Sequence, residues 1–581
     1  MRIRRELDKE EDDNGSVKYA RTDREPTLPS VFEIMEEENL SNPFQKQEYG
    51  IGVQPKTLLE LEMIGVSGEI RSKERWWEKM KDDKIVNKWR GECKLSKEAF
   101  DYILKELDYY NYIREGTTQM SPVDLVWQSD DLISATDKQE LIRQVKKLED
   151  VPSERMDWHP NSNEQVLDLV HPSLYCLVSN TSTKINNASL ARQSAKDMLY
   201  HMNTGEVIVL KHDILDDMSF VSDQTQWIPS EVQVDSDGKV KFLSYINNLH
   251  PQNHSALYGV LENITAKFVP LWENVLKGMT SSPPPRCEVR PYSWYENKEN
   301  IESKAKFREQ YKKDNPDLPS DDEDFEDAFE EEWDIEKGHH LYVSAPTVYE
   351  FKTPEINENF ILKDSRLQII VKLANIHLTP EKPTYEGGTY HIEGMKNEGI
   401  VASGIYYYEF DNISESVLRF RMAVSEPEYE QGDDFGVNAI YGIGNDDKLN
   451  QVVGGVITKQ DRCIAFPNSM QHRVEPFELV DKTRPGYRKI LVLFLIDPGT
   501  RILSTADIPP QQKEWLVQEL ALHLKEKLPI EIISYIVQFM PSMMNLEQAK
   551  QHRDKLMQER GMLVRERNEM TFERTFSLCE H

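Results

Sequence analysis

Apolar positions divide this chain before any single residue does. From Thr57 to about Leu107 they recur mostly every three to four residues: Leu58, Leu59, Leu61 and Ile64, then Trp76, Trp77, Met80, Ile85 and Trp89. That spacing gathers side chains on one face of a helix, so the region is predicted helical, with the tryptophans as core packing. Further helices are predicted over residues 121–131, 137–148 and 190–201. In residues 230–246, Val232 and Val234 alternate with polar residues before Asp235-Ser236-Asp237-Gly238, and Val240 and Phe242 alternate after it. This reads as a β-hairpin. Residues 255–276 read as an amphipathic helix disturbed at Pro270.

Between residues 366 and 497 the period shortens. Residues 367–373, 399–410, 417–424, 452–458, 462–466 and 488–496 are β-branched or aromatic runs. They are bounded by turns such as Glu386-Gly387-Gly388, Asp411-Asn412 and Lys459-Gln460-Asp461. Many strands joined by Gly-, Asn- and Asp-rich turns predict a sandwich or jelly roll. The tail returns to helical spacing over 511–524, 529–539 and 546–567. Asn545 is placed as an N-cap with Gln548 three positions on.

Two segments carry no such period. Residues 1–50 are charged, polar and unpatterned, and are expected to be disordered. Residues 317–336 hold 12 acidic side chains and no basic one. Self-repulsion predicts an extended or disordered, solvated acidic insertion; the alternative is a docking strip for a basic protein partner through Phe325, Phe329 and Trp333. The net charge of −31 over 581 residues argues against a dedicated nucleic-acid or anionic-membrane binder. The start, Met1-Arg2-Ile3-Arg4-Arg5, runs into acidic residues, so no signal peptide is expected, and no apolar run is long enough for a membrane span. Five scattered cysteines without a C-x-x-C pair point to reduced thiols in a cytoplasmic or nuclear protein.

The chemistry concentrates in Tyr390-His391-Ile392-Glu393-Gly394 and in two positions further along, His472 and Arg488. On a strand, residues two apart point to the same face, so His391 and Glu393 are expected to converge. His472 completes a 2-His-1-carboxylate set of the kind that leaves coordination positions open on non-heme Fe(II). Arg488 heads a strand whose same-face neighbours Ile490, Val492 and Phe494 are apolar. A charge at the end of a dry face needs a partner, and a bound carboxylate cosubstrate is one. Other candidates have plainer readings: His377 as a strand-end residue, Asp433-Asp434 as a solvated turn, Cys463 as a buried thiol.

In order and type these segments resemble the Fe(II)/2-oxoglutarate-dependent dioxygenases of the prolyl-hydroxylase-like type. Leu367-Gln368-Ile369-Ile370-Val371 looks like their opening core strand. Gly454-Gly455 through Gln471-His472-Arg473-Val474 looks like their distal-histidine block, and Gly486-Tyr487-Arg488 is similar to their G-x-R cosubstrate strand. More closely, the chain resembles large, mainly fungal proteins known only as a domain of unknown function. That resemblance covers roughly residues 50 to 581. It rests on Ser244-Tyr245-Ile246-Asn247-Asn248-Leu249-His250-Pro251, Ile376-His377-Leu378-Thr379-Pro380-Glu381, His391-Ile392-Glu393-Gly394 and Phe576-Ser577-Leu578-Cys579-Glu580-His581. The dioxygenase resemblance implies Fe(II) held by His391, Glu393 and His472, and 2-oxoglutarate gripped by Arg488; the closer resemblance implies the fold and no substrate. Two departures stand out. Glu393 takes the place of the usual aspartate, and residues 476–483 lengthen the path from His472 to Arg488, which leaves Arg473 or Lys372 as fallback anion partners.

The expected fold class is α+β: a double-stranded β-helix (jelly roll) core between helical N- and C-terminal regions. The expected divisions are 1–50 disordered, 51–150 helical, 151–316 α+β packing on the core, 317–337 acidic insertion, 338–510 core and 511–581 helices. The expected function is an Fe(II)/2-oxoglutarate-dependent oxygenase of unknown substrate. The alternatives are a non-catalytic jelly-roll interaction module and a cupin-like enzyme using another divalent metal.

Overall fold

The computed structural model describes residues 53–185, 199, 201–210, 220–281, 284–290, 294, 297–318, 323–356, 361–429, 433–524 and 526–578. The expectations for residues 1–50 and for a helix over 190–201 lie outside them, but for isolated positions in the second. Helix makes up about 38% of the chain and strand about 23%, so it is a mixed helix-and-strand protein.

The N-terminal helical period is realised. Helix α1 (Leu58–Arg71) starts where Thr57 accepts a hydrogen bond from the Glu60 N–H, and α2 (Lys97–Tyr112) starts where Ser96 accepts from Ala99. Each cap satisfies a donor that the first turn leaves open. Met63, Trp76, Trp89, Phe100, Ile103 and Leu107 then close a small core, with the tryptophans packed as expected. The next expected helix is absent. Residues 119–129 form two short strands, β1 (Gln119–Met120) and β2 (Trp127–Ser129). The cause is long-range pairing: Trp127, Gln128 and Ser129 lie in register with Ala465, Ile464 and Cys463. Strand pairing at a sheet edge outweighs a weak local helical preference.

Helix α3 (Ala135–Glu149) precedes strand β3 (Val166–Val170), the hairpin β4 (Ser230–Val234) and β5 (Val240–Phe242), and α4 (Ser255–Thr280). Pro270 sits inside α4 on its exposed side, and the helix continues through it. The buried stripe Leu257, Leu261, Ile264, Phe268 and Trp272 covers one face of a large sheet. At the closest approach a Cβ on Gly404 would meet the Phe268 ring at 2.6 Å, so only glycine fits there.

Helices α5 (Lys298–Asp314) and α6 (Glu323–His340) form a hairpin. The second of these overturns the expected acidic disordered insertion for residues 323 onward. Phe325, Phe329 and Trp333 recur every four residues and bury themselves against Phe307 and Tyr311. The acidic face is answered from α5, where Lys304 pairs with Glu330 at 2.7 Å and Arg308 with Glu326. Charge density alone predicts repulsion; a basic helix beside it removes the repulsion.

Between residues 365 and 496 the strands are β6 (Ser365–Leu378), β7 (Thr384–Tyr385), β8 (Ile400–Asp411), β9 (Ser416–Ala423), β10 (Asn450–Thr458), β11 (Cys463–Pro467), β12 (Gln471–Val474), β13 (Phe477–Glu478) and β14 (Gly486–Ile496). A short helix, α7 (Asp434–Tyr441), interrupts them. The main sheet runs β1-β2-β11-β8-β14-β6-β4-β5, with β3 also on β6. A second sheet runs β10-β9-β12, and β7 pairs with β13. Odd residues of β6 such as Leu367, Ile369 and Val371 face the helices. Ile370, with Val492 and Phe494 of β14, faces Leu418 and Phe420 of the second sheet. The outcome is helices, sheet and smaller sheet in layers. Among the described residues the two larger sheets face each other, short two-stranded pairs lie elsewhere, and no closed barrel is found; the mixed helix-and-strand class holds, and the expected jelly-roll core is not shown.

The tail helices are α8 (Lys513–Leu524), α9 (Ile530–Gln538) and α10 (Leu546–Arg567). The Asn545 and Gln548 capping box is formed at the start of α10. The described cysteines Cys93, Cys176, Cys287 and Cys463 are free thiols, and Cys463 is fully buried. No described helix is long and apolar enough to cross a membrane.

Candidate functional site

His391, Glu393 and His472 converge. The mechanism differs from strand parity. His391 is a lone bridge residue, exchanging backbone hydrogen bonds with His472 at 3.2 and 3.0 Å, and no regular strand covers Glu393. The chain turns directly after, at Gly394, whose φ is +72° and where a Cβ would meet Ile400 at 2.8 Å. His472 is fixed on β12, opposite Phe420 of β9, with the Phe466 ring 4.8 Å away.

The side chains form a compact donor set. Glu393 Oε1 lies 3.7 Å from His391 Nε2 and 3.5 Å from His472 Nε2, and the two rings are 4.6 Å apart. His391 Nδ1 lies 2.8 Å from the Thr389 carbonyl. A carbonyl only accepts, so Nδ1 carries the proton and Nε2 presents its lone pair to the centre. Burial would push the Glu393 carboxyl up, but the hydrogen bonds and charges of His391 and His472 hold it well below the usual carboxylate range. Burial works against the charged form of His391, yet Glu393 raises it above its ordinary value; His472 is pushed down by burial and by the charge of His391. The three groups share charge in a way that a divalent cation would replace.

Sequence reasoning missed the scaffold around them. Asn468, fully buried, accepts from the Glu393 N–H at 2.8 Å and donates to the Glu393 and Ile400 carbonyls at 2.8 and 2.9 Å. Glu398, also fully buried, accepts from the Trp227 and Met395 N–H groups at 2.7 and 2.8 Å and pairs with Arg560 of α10. Arg560 in turn lies 3.6 Å over the Trp227 ring. The last helix is thereby locked across a cavity of about 210 Å³, with His391 and Glu393 in one wall and Met557, Leu563 and Val564 of α10 in another.

A second cluster, His159, Asp168 and His171, stands beside it, and its two histidines line the same cavity. Asp168 stands on β3, opposite Ala374 of β6. Its Oδ2 lies 2.7 Å from His159 Nδ1, so that nitrogen is the donor. His171, 5.1 Å from His159 ring to ring, accepts the Ser173 N–H at Nδ1 (3.2 Å), which places its own proton on Nε2. Burial keeps the His171 imidazole well below its ordinary value.

Arg488 is nearly inaccessible, on the inner face of β14 with Val492 and Phe494 as expected. Its Nη1 donates to Ser416 Oγ at 2.8 Å, and the guanidinium lies 4.4 Å over the Phe477 ring. Residues 476–483 therefore supply a floor for the arginine rather than displacing it. Among the described residues no carboxylate pairs with Arg488, and its Nε finds no acceptor. Burial pushes it below the ordinary guanidinium range. Ser416 stands four residues before Phe420, the partner of His472, or roughly 13 Å along β9.

The fallback cations separate. Arg473 stacks 4.5 Å over Tyr390, whereas Lys372 lines the cavity. His377 lies near the end of β6, 6.0 Å from Trp158 and outside the donor set. Asp433 is not a solvated turn: it is buried, capping α7 through the Gly436 N–H and accepting from Trp294 at 2.8 Å.

A profile of the family described as "Protein of unknown function (DUF4246)" matches residues 97–519, and its companion "Domain of unknown function DUF4246, N-terminal" matches residues 17–92. The chain belongs to this family. No curated protein matches it. Among solved structures it is similar to a selenomethionine-labelled Fe(II)/(alpha)ketoglutarate-dependent dioxygenase, TqaL, at 11% identity and a TM-score of 0.19, over 63% of this chain and 91% of that one. It is similar to IDO from Bacillus thuringiensis at 12% identity and a TM-score of 0.15, over 36% and 88%. A bsmA homolog from Methylobium petroleophilum PM1 matches at 13% identity and a TM-score of 0.14, over 22% of this chain; the chain spans 42% of that protein's length.

Proposed function

We propose that this chain is an Fe(II)/2-oxoglutarate-dependent oxygenase, with His391, Glu393 and His472 as the iron ligands and Arg488 as the grip on the cosubstrate. The observation that carries the reading is the donor set: two imidazole Nε2 atoms within 3.7 Å of one carboxylate oxygen, in the wall of a cavity. Two nitrogens and one hard oxygen on one side suit Fe(II) and leave its other positions open. The tautomer of His391, fixed by the Thr389 carbonyl, is the one a metal requires.

Strand order supports a double-stranded β-helix. Counted from β6, with β12 and β13 as one interrupted strand, the eight core strands interleave as first-eighth-third-sixth in one sheet. The other sheet runs second-seventh-fourth-fifth.

Bound at this site, Fe(II) with 2-oxoglutarate supplies the oxidising chemistry that hydroxylates a C–H bond. The chain's own part is positional. Asn468 and Gly394 hold the Glu393 turn, and α10 walls one side of the cavity. Arg488 presents hydrogen-bond donors to a carboxylate from a dry aromatic socket, where a charge-assisted bond is strong. Free buried thiols accord with a cytoplasmic or nuclear setting.

Anaerobic titration with Fe(II) and 2-oxoglutarate tests the reading. One iron per chain and a weak visible charge-transfer band are expected, and His391→Ala with Glu393→Ala should remove both while leaving the fold intact. Undiminished stoichiometric iron in that variant sinks the assignment.

A further inference from the structure

Lys372 lies on the inner face of β6, two positions from Ile370, and lines the cavity that the two histidine clusters share. It shares that lining with His391 and Glu393 of one cluster and with His159 and His171 of the other. Among the described residues no carboxylate lies within ion-pair distance of it, and it makes no hydrogen bond to any of them. A half-buried ammonium without a partner is costly to keep. Around it the second cluster has its protons arranged for donation. His171 Nε2 carries a hydrogen because Nδ1 is occupied by the Ser173 N–H, and His159 is held by Asp168.

We infer that Lys372 and His171, with His159 beside them, form an oxyanion site, and that the substrate enters with a carboxylate or phosphate group bound there. That the bound group belongs to a substrate rests on the oxygenase reading; the site itself does not. Arg488 is a separate cation. In the β6–β14 ladder Lys372 stands opposite Val492 and Ile376 opposite Arg488, four residues away or roughly 13 Å. Cations that far apart serve two anions: cosubstrate at the arginine, substrate at the lysine.

The test uses the full chain loaded with Zn(II) and saturated with 2-oxoglutarate, titrated calorimetrically with inorganic phosphate in one arm and acetate in the other. One saturable oxyanion site is expected. Lys372→Met should weaken it at least tenfold and Lys372→Arg should restore most of it, while Arg488→Met leaves it unchanged. For 2-oxoglutarate the order of the variants should reverse. Tighter phosphate identifies a phosphorylated substrate class, tighter acetate a carboxylate. If Lys372→Met instead weakens 2-oxoglutarate and spares the oxyanions, the lysine is the cosubstrate anchor and the inference falls. Wild-type chain that binds neither oxyanion overturns it as well. Should Lys372→Met misfold, His171→Asn takes its place: a severalfold weaker oxyanion site supports the inference and an unchanged one defeats it. Failure of the oxygenase reading shows separately as absent metal uptake, and the oxyanion arms repeated on the metal-free chain still decide the role of Lys372.

Discussion

Two clusters of the same composition, two histidines and a carboxylate, face one cavity, and they are built for different work. In His391, Glu393 and His472 the carboxylate oxygen looks at two Nε2 atoms, and a backbone carbonyl holds the His391 proton on the far side of the ring. In His159, Asp168 and His171 the carboxylate takes a Nδ1 proton from one ring, and a backbone N–H occupies Nδ1 of the other. The first leaves lone pairs facing inward; the second leaves a proton on Nε2 of His171. A carbonyl in one place and an N–H in the other set which ring nitrogen presents a lone pair and which presents a proton. Residue identity and proximity do not.

The largest expected effect breaks or confirms the first half of that contrast. His391→Ala with Glu393→Ala should abolish specific metal binding, measured by equilibrium dialysis and elemental analysis, with an unchanged circular dichroism spectrum. Next, Arg488→Ala should weaken 2-oxoglutarate by about 2–5 kcal/mol, because a buried charge loses its partner. Arg488→Lys should recover only part, since the fork geometry is lost. Equal 2-oxoglutarate affinity in wild type and Arg488→Ala would move the cosubstrate to another cation. Third, Asp168→Asn should leave metal stoichiometry at one per chain while costing about 1–3 kcal/mol of stability in chemical denaturation, from a disturbed buried hydrogen bond. If the wild type binds two metals and the variant one, the clusters are alike and the contrast fails. Last, His171 is a buried imidazole with a depressed folded pKa. The unfolded chain then binds the extra proton first, so its contribution to stability is lost as pH falls through about 6.5. Between pH 7 and 5 the metal-free wild type should lose up to about 2 kcal/mol more than His171→Asn, and parallel curves would place that titration elsewhere.

Much of this is legible in the residues, for identifiable reasons. The core strands are readable because long β-branched runs end at turns, and Arg488 because Ile490, Val492 and Phe494 share its face. His391 and Glu393 are readable as a pair, but not as bridge and turn, because the turn depends on Gly394 fitting against Ile400. The helical spacing of residues 121–131 misleads because Trp127–Ser129 joins a partner strand, Cys463–Ala465, that lies far along the chain. The acidic segment misleads when its charges are counted and its four-residue aromatic stripe is not weighed against the basic helix before it. Nothing local marks His159, Asp168 and His171. His159 and His171 share a cavity with Lys372 only because β3 lies against β6, a strand from a distant part of the sequence.

The arginine of α10 that locks onto Glu398 also sets an order of events during synthesis. Every residue of the donor set has left the ribosome when His472 emerges, yet the helix that walls the cavity begins only at Leu546. At ~5–20 residues per second, that gap of roughly 70 residues lasts about 4–15 s. For those seconds the nascent chain holds a complete donor set open to the surrounding solution. A metal bound at that stage would be enclosed by the arrival of α10, and the choice of ion would then rest on what is at hand while the chain is being made.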